Sequence, residues 1–184
     1  FRGSTEVGGY FLKYSSESHL KPVALEMGGK SPFIVVEDAK INDDLIDNAI
    51  NSAFWNGGQN CSANMRQIIH SKVKDEFLDK VLKKVKAFKV GDPLDLNSNM
   101  GSMISKKHLE TVDGYIQKGI DEGAKILSGG ASEENQKGFF AKPTLFDNLK
   151  ENMVIAQEEI FGPVLGIISV NDTEEALNIA SNSK

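Results

Sequence analysis

Cysteine is the scarcest reactive residue in this sequence, occurring once among 184 residues, at Cys61. A single cysteine excludes an intrachain disulfide, which favours a reducing compartment, and we expect the cytoplasm. Long apolar runs are also missing, since no stretch approaches the roughly 18 residues that a membrane-spanning helix requires. We therefore expect no membrane partner.

Basic residues do not dominate the charge of the chain. Lysine and arginine number 21 against 26 acidic residues, which gives a net charge of −5, and the two signs are interspersed. A nucleic-acid-binding surface usually needs a basic patch, so we expect no nucleic-acid partner. With 40% hydrophobic and 26% charged residues, the composition is that of a globular protein long enough for one substantial domain.

Two further absences concern metal and phosphate sites. The three histidines are scattered, at His19, His70 and His108. None lies at metal-ligand spacing from the cysteine or from another histidine, so we predict no metal site and a surface or structural role for each. The segment Gly29-Lys30-Ser31 resembles the end of a P-loop, but that pattern needs a glycine where Ala24 stands. The P-loop interpretation is therefore rejected.

Hydrophobic periodicity predicts that strands and helices alternate along nearly the whole chain. The predicted strands cover residues 22–25, 32–36, 67–70, 124–127, 139–146 and 164–170. One predicted helix begins near residue 4, and the others cover residues 42–54, 73–88, 105–123 and 172–180. Residues 129–138 are expected to form a surface turn. Pro143 predicts an edge position or a bulge for its strand, because proline cannot donate to a sheet. The alternation indicates an α/β fold with a largely parallel sheet flanked by helices.

The segment Phe54–Ala63 surrounds the only cysteine and supports two interpretations. Asn56-Gly57-Gly58 is predicted to end the preceding helix, since these residues readily adopt the conformation that stops a helix. Cys61 follows within a few residues. It is either a small buried side chain, as free cysteines commonly are, or a nucleophile held on a tight loop.

Three further segments could form a site with this cysteine. Glu26 follows the predicted strand 22–25, and a carboxylate there can serve as a general base. Gly3 and Ser4 lie at a helix start, where free N–H groups suit a phosphate, although a simply capped helix is the commoner case. Glu158–Pro163 precedes a predicted strand. It either contributes to such a site or is simply a loop whose acidic side chains face water. The spacing leaves open whether these segments meet.

Taken together, four segments resemble motifs of the NAD(P)-dependent aldehyde dehydrogenases, in that family's order. They are the helix start Phe1–Gly8, the glutamate motif Leu25–Pro32, the cysteine motif Phe54–Ala63 and the cofactor-facing block Glu158–Val164. The resemblance runs along the whole chain. It implies that residues 1–28 end a dinucleotide-binding domain and that residues 29–184 belong to the family's catalytic domain, truncated at its C-terminus.

The resemblance also implies a reaction, the oxidation of an aldehyde to a carboxylic acid. Cys61 would attack the aldehyde carbon to give a thiohemiacetal, and hydride transfer to NAD or NADP would leave a thioester. Glu26 would activate the water that hydrolyses the thioester. Trp55 lies where an aromatic residue often lines the substrate tunnel, which hints at a cationic amino- or betaine-type aldehyde.

Six residues are assigned to the cofactor by the same resemblance. Those facing the pyrophosphate and adenosine are Gly3, Ser4 and Val7. Glu159 corresponds to the acid that binds the nicotinamide ribose, Phe161 to the aromatic residue beside the nicotinamide, and Met27 is also expected to contact the cofactor.

Two other functions remain open beside the dehydrogenase. One is an NAD-independent thiol hydrolase or acyl-transferase that uses Cys61 and Glu26, and the other is a non-catalytic remnant. The chain starts at Phe1 rather than at methionine and lacks most of the dinucleotide domain that the resemblance implies. We therefore expect a piece of a longer protein, inactive alone, whose parent is a homodimer or homotetramer.

Overall fold

The computed structural model of the chain describes residues 1–132 and 137–183 and has an α/β architecture. The strands are β1 (Arg2–Gly3), β2 (Glu26–Met27), β3 (Pro32–Val35), β4 (Arg66–His70), β5 (Lys125–Ser128), β6 (Thr144–Asp147) and β7 (Val164–Val170). The helices are α1 (Thr5–Ser16), α2 (Asp43–Phe54), α3 (Ser71–Lys86), α4 (Lys106–Asp121), α5 (Val154–Gln157) and α6 (Thr173–Ser181), and a 3₁₀ turn covers Trp55–Gly58.

A five-stranded sheet in the order β3-β4-β7-β6-β5 forms the centre of the molecule. Neighbouring strands run parallel except at the edge, where β5 is antiparallel to β6. Strands β1 and β2 pair in parallel in a separate two-stranded sheet. The prediction of a largely parallel α/β sheet is thus confirmed.

Helices cover both faces of the central sheet. Adjacent strand residues alternate between the two sides, so Leu145 packs in the cluster that contains α2 and α3, whereas Phe146 packs in the cluster that contains α4 and α5. Side chains of a strand point alternately to its two faces. Burial on both sides explains why Val164–Ile168 of β7 is a continuous apolar run rather than an alternating one, whereas Ser169 of the same strand is exposed.

Most helices begin at a side chain that caps the first turn. Asn42 Oδ1 accepts from the N–H of Leu45 at 2.9 Å to start α2, and Ser105 Oγ accepts from His108 at 3.2 Å to start α4. Such caps satisfy backbone donors that have no partner inside the helix. The caps confirm the predicted starts of these helices.

Two predicted strands are wrong in place. Residues 22–25 form no strand in the described structure, because β1 is two residues long and pairs with Glu26–Met27 instead. The predicted strand 139–146 begins only at Thr144 and lies between β5 and β7, so it is not at the sheet edge. Buried Pro143 precedes the strand and needs no donor there. The turn predicted for residues 129–138 includes residues 133–136, which lie outside the described residues.

Candidate active site

The cysteine loop, residues 55–63, begins where α2 ends. Asn56, Gly57 and Gly58 have positive φ angles of 54°, 63° and 70°, and this run reverses the chain abruptly. The side-chain amides of Asn56 and Gln59 each donate to the other residue's carbonyl oxygen at 3.1 Å. Gln59 Oε1 also accepts from the N–H of Ile104 at 2.9 Å. These bonds close the turn and tie it to the segment before α4.

Cys61 is exposed on this loop, so its interpretation as a buried side chain is wrong. Asn60 Oδ1 accepts from the backbone N–H of Ser62 at 3.3 Å and from its hydroxyl at 3.1 Å. The N–H of Ala63 donates to the carbonyl oxygen of Asn60 at 3.1 Å. Within residues 1–132 and 137–183, no acceptor is found for the backbone N–H of Cys61. The loop is thus fixed on both sides of an exposed thiol and a free donor.

A cavity of about 390 Å³ lies beside the cysteine loop, and all four motifs contribute to its wall. Cys61 and Glu26 both line it. The cofactor-assigned residues on the same wall are Gly3, Ser4, Met27, Glu159 and Phe161. Val7 is absent from the wall and lies exposed in the first turn of α1. The structure therefore brings together every predicted site residue except Val7.

Pairing of β1 with β2 explains how the helix start reaches Glu26. Arg2 stands opposite Glu26 and Gly3 opposite Met27 in a parallel register. Ser4 Oγ then caps α1 by accepting from the N–H of Val7 at 3.3 Å. The N-terminus of α1 thus points into the region of Glu26, and helix N-termini favour anions through their free N–H groups.

Glu159 occupies a half-buried position packed against the glutamate motif. A Cβ atom at Gly28 would lie 1.8 Å from Glu159 Oε2, so only glycine leaves room for this carboxylate. Burial raises the pKa of Glu159, while a hydrogen bond from the N–H of Gly29 and the nearby Lys30 ammonium oppose that rise. Glu159 Oε1 is buried and has no hydrogen-bond partner in the described part of the chain. A buried acceptor without a partner at a cavity wall can accept a hydrogen bond from a ligand.

Lys30 lies behind this carboxylate as a buried, unpaired lysine. Only 6% of the residue is exposed, and its Nζ finds no hydrogen-bond partner among the described residues. Burial and the neighbouring Arg66 guanidinium lower its pKa to about 7, against the attraction of Glu159 and Glu158. Arg66 is anchored there because it donates to the carbonyl oxygen of Lys30 at 3.0 Å. The sequence shows no sign of this buried charge, since glycine-lysine pairs usually face solvent.

Phe161 and Gly162 bring the opposite wall against the cysteine loop. Phe161 has a φ of 57°, an unusual value for a bulky residue. A Cβ atom at Gly58 would lie 2.5 Å from the carbonyl oxygen of Gly162, so the two backbones touch directly. Glycine at residue 58 is required both by its positive φ and by this contact.

Several wall residues were not assigned a role from the sequence. They are Arg2, Gly28, Gln59 and Asn60. Gln59 and Asn60 stand inside the cysteine motif, yet their part in folding the loop depends on hydrogen bonds that a sequence does not display. Arg2 adds a cation at the end of the cavity that Gly3 and Ser4 form.

Within the described residues, no group of three or more histidine, cysteine, aspartate or glutamate side chains is arranged to hold a metal ion. No histidine lines the cavity among the residues that the structure describes. His70 caps α3, accepting from the N–H of Lys72 at 3.2 Å, as expected for a structural role.

No described helix is both long and apolar enough to cross a bilayer.

The chain is similar to known proteins along its whole length. A family model described as "Aldehyde dehydrogenase family" matches residues 1–184. Aldehyde dehydrogenase family 2 member B4, mitochondrial, of Arabidopsis thaliana is 45% identical over 186 residues, which cover 100% of this chain and 34% of that protein. Aminoacetaldehyde dehydrogenase of Pseudomonas aeruginosa is 39% identical, covering 100% of this chain and 36% of that protein.

Solved structures give the same answer. The NAD+ complex of an aldehyde dehydrogenase from Bacillus cereus matches with a TM-score of 0.94 and 40% identity, covering 100% of this chain and 37% of that chain. The aldehyde dehydrogenase KauB of Pseudomonas aeruginosa matches with a TM-score of 0.95 and 39% identity, again over 37% of its length. This chain therefore spans under two-fifths of the length of these relatives.

Proposed function

This chain belongs to the aldehyde dehydrogenase family, and we propose that the protein containing it oxidises an aldehyde to a carboxylic acid with NAD or NADP. One observation carries the proposal. An exposed thiol, Cys61, and a carboxylate, Glu26, line the same cavity as Glu159 and Phe161, although these residues come from three distant parts of the sequence.

The residues present fit a dinucleotide. Glu159 Oε1 is a buried acceptor that lacks a donor within the described residues, which suits the hydroxyl groups of a ribose. Gly3 and Ser4 lie at the N-terminus of α1, where a pyrophosphate would meet free N–H groups, and Arg2 adds a positive charge. Phe161 offers an exposed ring to a nicotinamide. A bound NAD or NADP would supply the hydride acceptor.

Cys61 is the proposed nucleophile. Its sulfur would bond to the aldehyde carbon while the carbonyl oxygen becomes an oxyanion, giving a thiohemiacetal on the enzyme. The unpaired N–H of Cys61 is one donor suited to that oxyanion. Because hydrogen bonds on both sides hold the loop, this donor need not be reorganised during the reaction.

Glu26 is the proposed general base. Once the aldehyde carbon has been oxidised, the acyl group is bound to Cys61 as a thioester. Glu26 would take a proton from water, the water oxygen would bond to the acyl carbon, and the carbon–sulfur bond would break to release the acid and the thiolate. A positioned carboxylate typically contributes about 10²–10⁴-fold to such a step.

The test uses the whole protein that contains this chain, with NAD and NADP assayed separately against simple and amino-substituted aldehydes. NAD(P)H formation is expected from the wild type. Cys61→Ser is expected to lose at least about 10³-fold in kcat, on the scale seen when a nucleophile is removed. Glu26→Gln is expected to lose about 10²–10⁴-fold. Thr111→Val is the control and should retain activity, since the Thr111 hydroxyl bonds to the carbonyl oxygen of Lys107 within α4 and Thr111 does not line the cavity.

Other outcomes would support the rival functions. Ester hydrolysis that depends on Cys61 but not on a dinucleotide, without aldehyde oxidation, would overturn the proposal in favour of a thiol hydrolase or acyl-transferase. A folded protein whose Cys61 resists iodoacetamide at neutral pH, and which oxidises no aldehyde, would indicate a non-catalytic remnant.

We further propose that residues 1–184 alone do not turn over. Helix α1 has one buried residue, Gly8, and exposes apolar side chains that include Tyr10, Phe11 and Leu12. A helix so poorly covered holds the phosphate side of the cavity weakly. Robust NAD(P)H formation by this stretch alone would contradict the proposal.

The exposed thiol must remain reduced in order to act, so we place the protein in a reducing compartment, the cytoplasm. We also propose that the whole protein assembles as a homodimer or homotetramer. Light scattering on that protein would measure its mass in solution.

A further inference from the structure

One face of α4 contacts the loop that carries Glu159 and Phe161. His108, Val112 and Tyr115 follow one another at spacings of four and three residues, which places them on the same side of a helix. Each of the three meets the segment 158–162. We call these three residues the α4 clamp.

His108 holds the most strained residue of that loop. Its Nε2 lies 2.5 Å from the carbonyl oxygen of Phe161, and because a carbonyl only accepts, the ring nitrogen must donate. The two rings also meet edge to face, with centroids 6.2 Å apart at 69°. Phe161 adopts a φ of 57°, which such a residue keeps only when its surroundings enforce it. The two contacts from His108 supply that restraint.

Val112 and Tyr115 hold the residues on either side. A Cβ atom at Gly162 would lie 2.4 Å from Val112 Cγ2, so the helix and the loop backbone are packed closely. The Tyr115 hydroxyl donates to Glu158 Oε2 at 2.8 Å. Burial, followed by this contact with Glu158, raises the pKa of Tyr115 to about 12, so the phenol remains a donor at neutral pH.

The segment leading into α4 reaches the cysteine loop. The N–H of Ile104 donates to Gln59 Oε1 at 2.9 Å. Met103 Cε would lie 2.8 Å from a Cβ atom at Gly57. The segment just before α4 therefore contacts the loop bearing the thiol, and the face of α4 contacts the loop bearing Glu159.

We propose that the α4 clamp positions Phe161 and Glu159 against the cofactor side of the cavity, with His108 and Tyr115 as positioning residues. The proposal rests on the proposed dehydrogenase function. A loop released from the clamp would let Phe161 relax to negative φ and carry its ring off the cavity wall. Dinucleotide binding would then weaken, while access of the aldehyde to Cys61 would change little.

The experiment compares substitutions that separate the two contacts of His108 in the whole protein. His108→Phe keeps an aromatic ring but removes the donor, and His108→Gln keeps a donor but removes the ring. Tyr115→Phe removes only the hydroxyl. Thr111→Val is the matched control, since the Thr111 hydroxyl bonds only to Lys107 within α4. The measurements are the Kd of NADH and NADPH by fluorescence, the KM of each substrate, kcat and Tm.

Loss of one hydrogen bond predicts that His108→Phe raises the NAD(P)H Kd about fivefold to tenfold, and Tyr115→Phe about twofold to fivefold. His108→Gln should recover most of the loss, and the KM for aldehyde should change less than about twofold in every variant. Thr111→Val should match the wild type. Equal Kd values for wild type and His108→Phe would overturn the clamp, as would losses that follow a lowered Tm in all variants, the Thr111 control included.

Binding is measured apart from turnover, so the two proposals fail separately. A wild type that binds NAD(P)H but oxidises no aldehyde contradicts the proposed function, and the clamp is still decided by the Kd ratios. A wild type that binds neither dinucleotide overturns both.

Discussion

Replacing Gly28 by alanine is expected to displace the Glu159 carboxylate from the cavity wall. The new methyl carbon would lie 1.8 Å from Glu159 Oε2 and 2.3 Å from Cδ, and atoms that are not bonded to each other do not approach so closely. The obstacle is the end of a flexible side chain rather than backbone. The carboxylate can therefore swing away while the fold stays intact, and the loss should fall on the cofactor rather than on stability.

The expected change in the Kd for NAD(P)H follows from the hydrogen bonds that are lost when the Glu159 carboxylate moves. It would lose its hydrogen bond from the N–H of Gly29, and the ribose proposed to bind there would lose a charged acceptor. A hydrogen bond to a charged group is worth about 1.5–3 kcal/mol. At about 1.4 kcal/mol per tenfold change, the Kd for NAD(P)H should rise by about 10- to 100-fold.

Gly29→Ala is the matched control because a Cβ atom at residue 29 meets nothing within 4 Å. Both variants add one methyl group to adjacent residues of the same motif. The assay is fluorescence titration of the whole protein with NADH and NADPH, followed by KM measurement and a Tm scan. Gly28→Ala that binds as the wild type does, or Gly29→Ala that is equally impaired, would refute the steric reasoning.

The remaining predictions concern stability. Lys30→Met is expected to stabilise the protein by about 1–4 kcal/mol below pH 7, where the folded state otherwise buries a charge. The pKa of Lys30 is about 7 in the folded state, below its ordinary value of 10.5. Between these two pH values the unfolded chain binds one proton more than the folded chain, so the stability of the wild type rises with pH. A difference in Tm between variant and wild type that does not narrow from pH 7 to 10 would contradict this. Gly58→Ala should destabilise by at least about 1–3 kcal/mol, since it combines a φ of 70° with a Cβ contact of 2.5 Å to a backbone oxygen. Gly114→Ala, at an exposed position of α4 where a Cβ atom meets open space, should instead stabilise slightly, and thermal scans that rank the two alike would contradict the argument.

Periodicity and capping signals were enough to predict most of the fold. The apolar spacing of α3 and the cap at Asn42 are local features, so the sequence shows them directly. Local signals failed where pairing decided the outcome. Residues 22–25 are apolar enough for a strand, but a strand needs a partner, and β1 supplies one only for Glu26–Met27.

The site divides in the same way. The conformation of Gly57 and Gly58 could be predicted from residue type, because glycine is the residue that readily takes positive φ. Convergence of Cys61 with Glu26 was expected from the resemblance and not from spacing. The burial of Lys30 and the hydrogen bond from His108 to the carbonyl oxygen of Phe161 could not be predicted, since each depends on residues far apart in the sequence.

The close approach of Gly58 to the carbonyl oxygen of Gly162 limits how the two loops can vary in sequence. Main chain approaches main chain at this point, beside the terminal methyl group of Met65, so the radii of main-chain atoms set the separation of the two loops. Substitution has no means of fine-tuning that gap, because any larger residue at 58 only forces it open. The outer flank of the cysteine loop differs, because Trp55 is 67% exposed there and the described structure constrains its side chain far less.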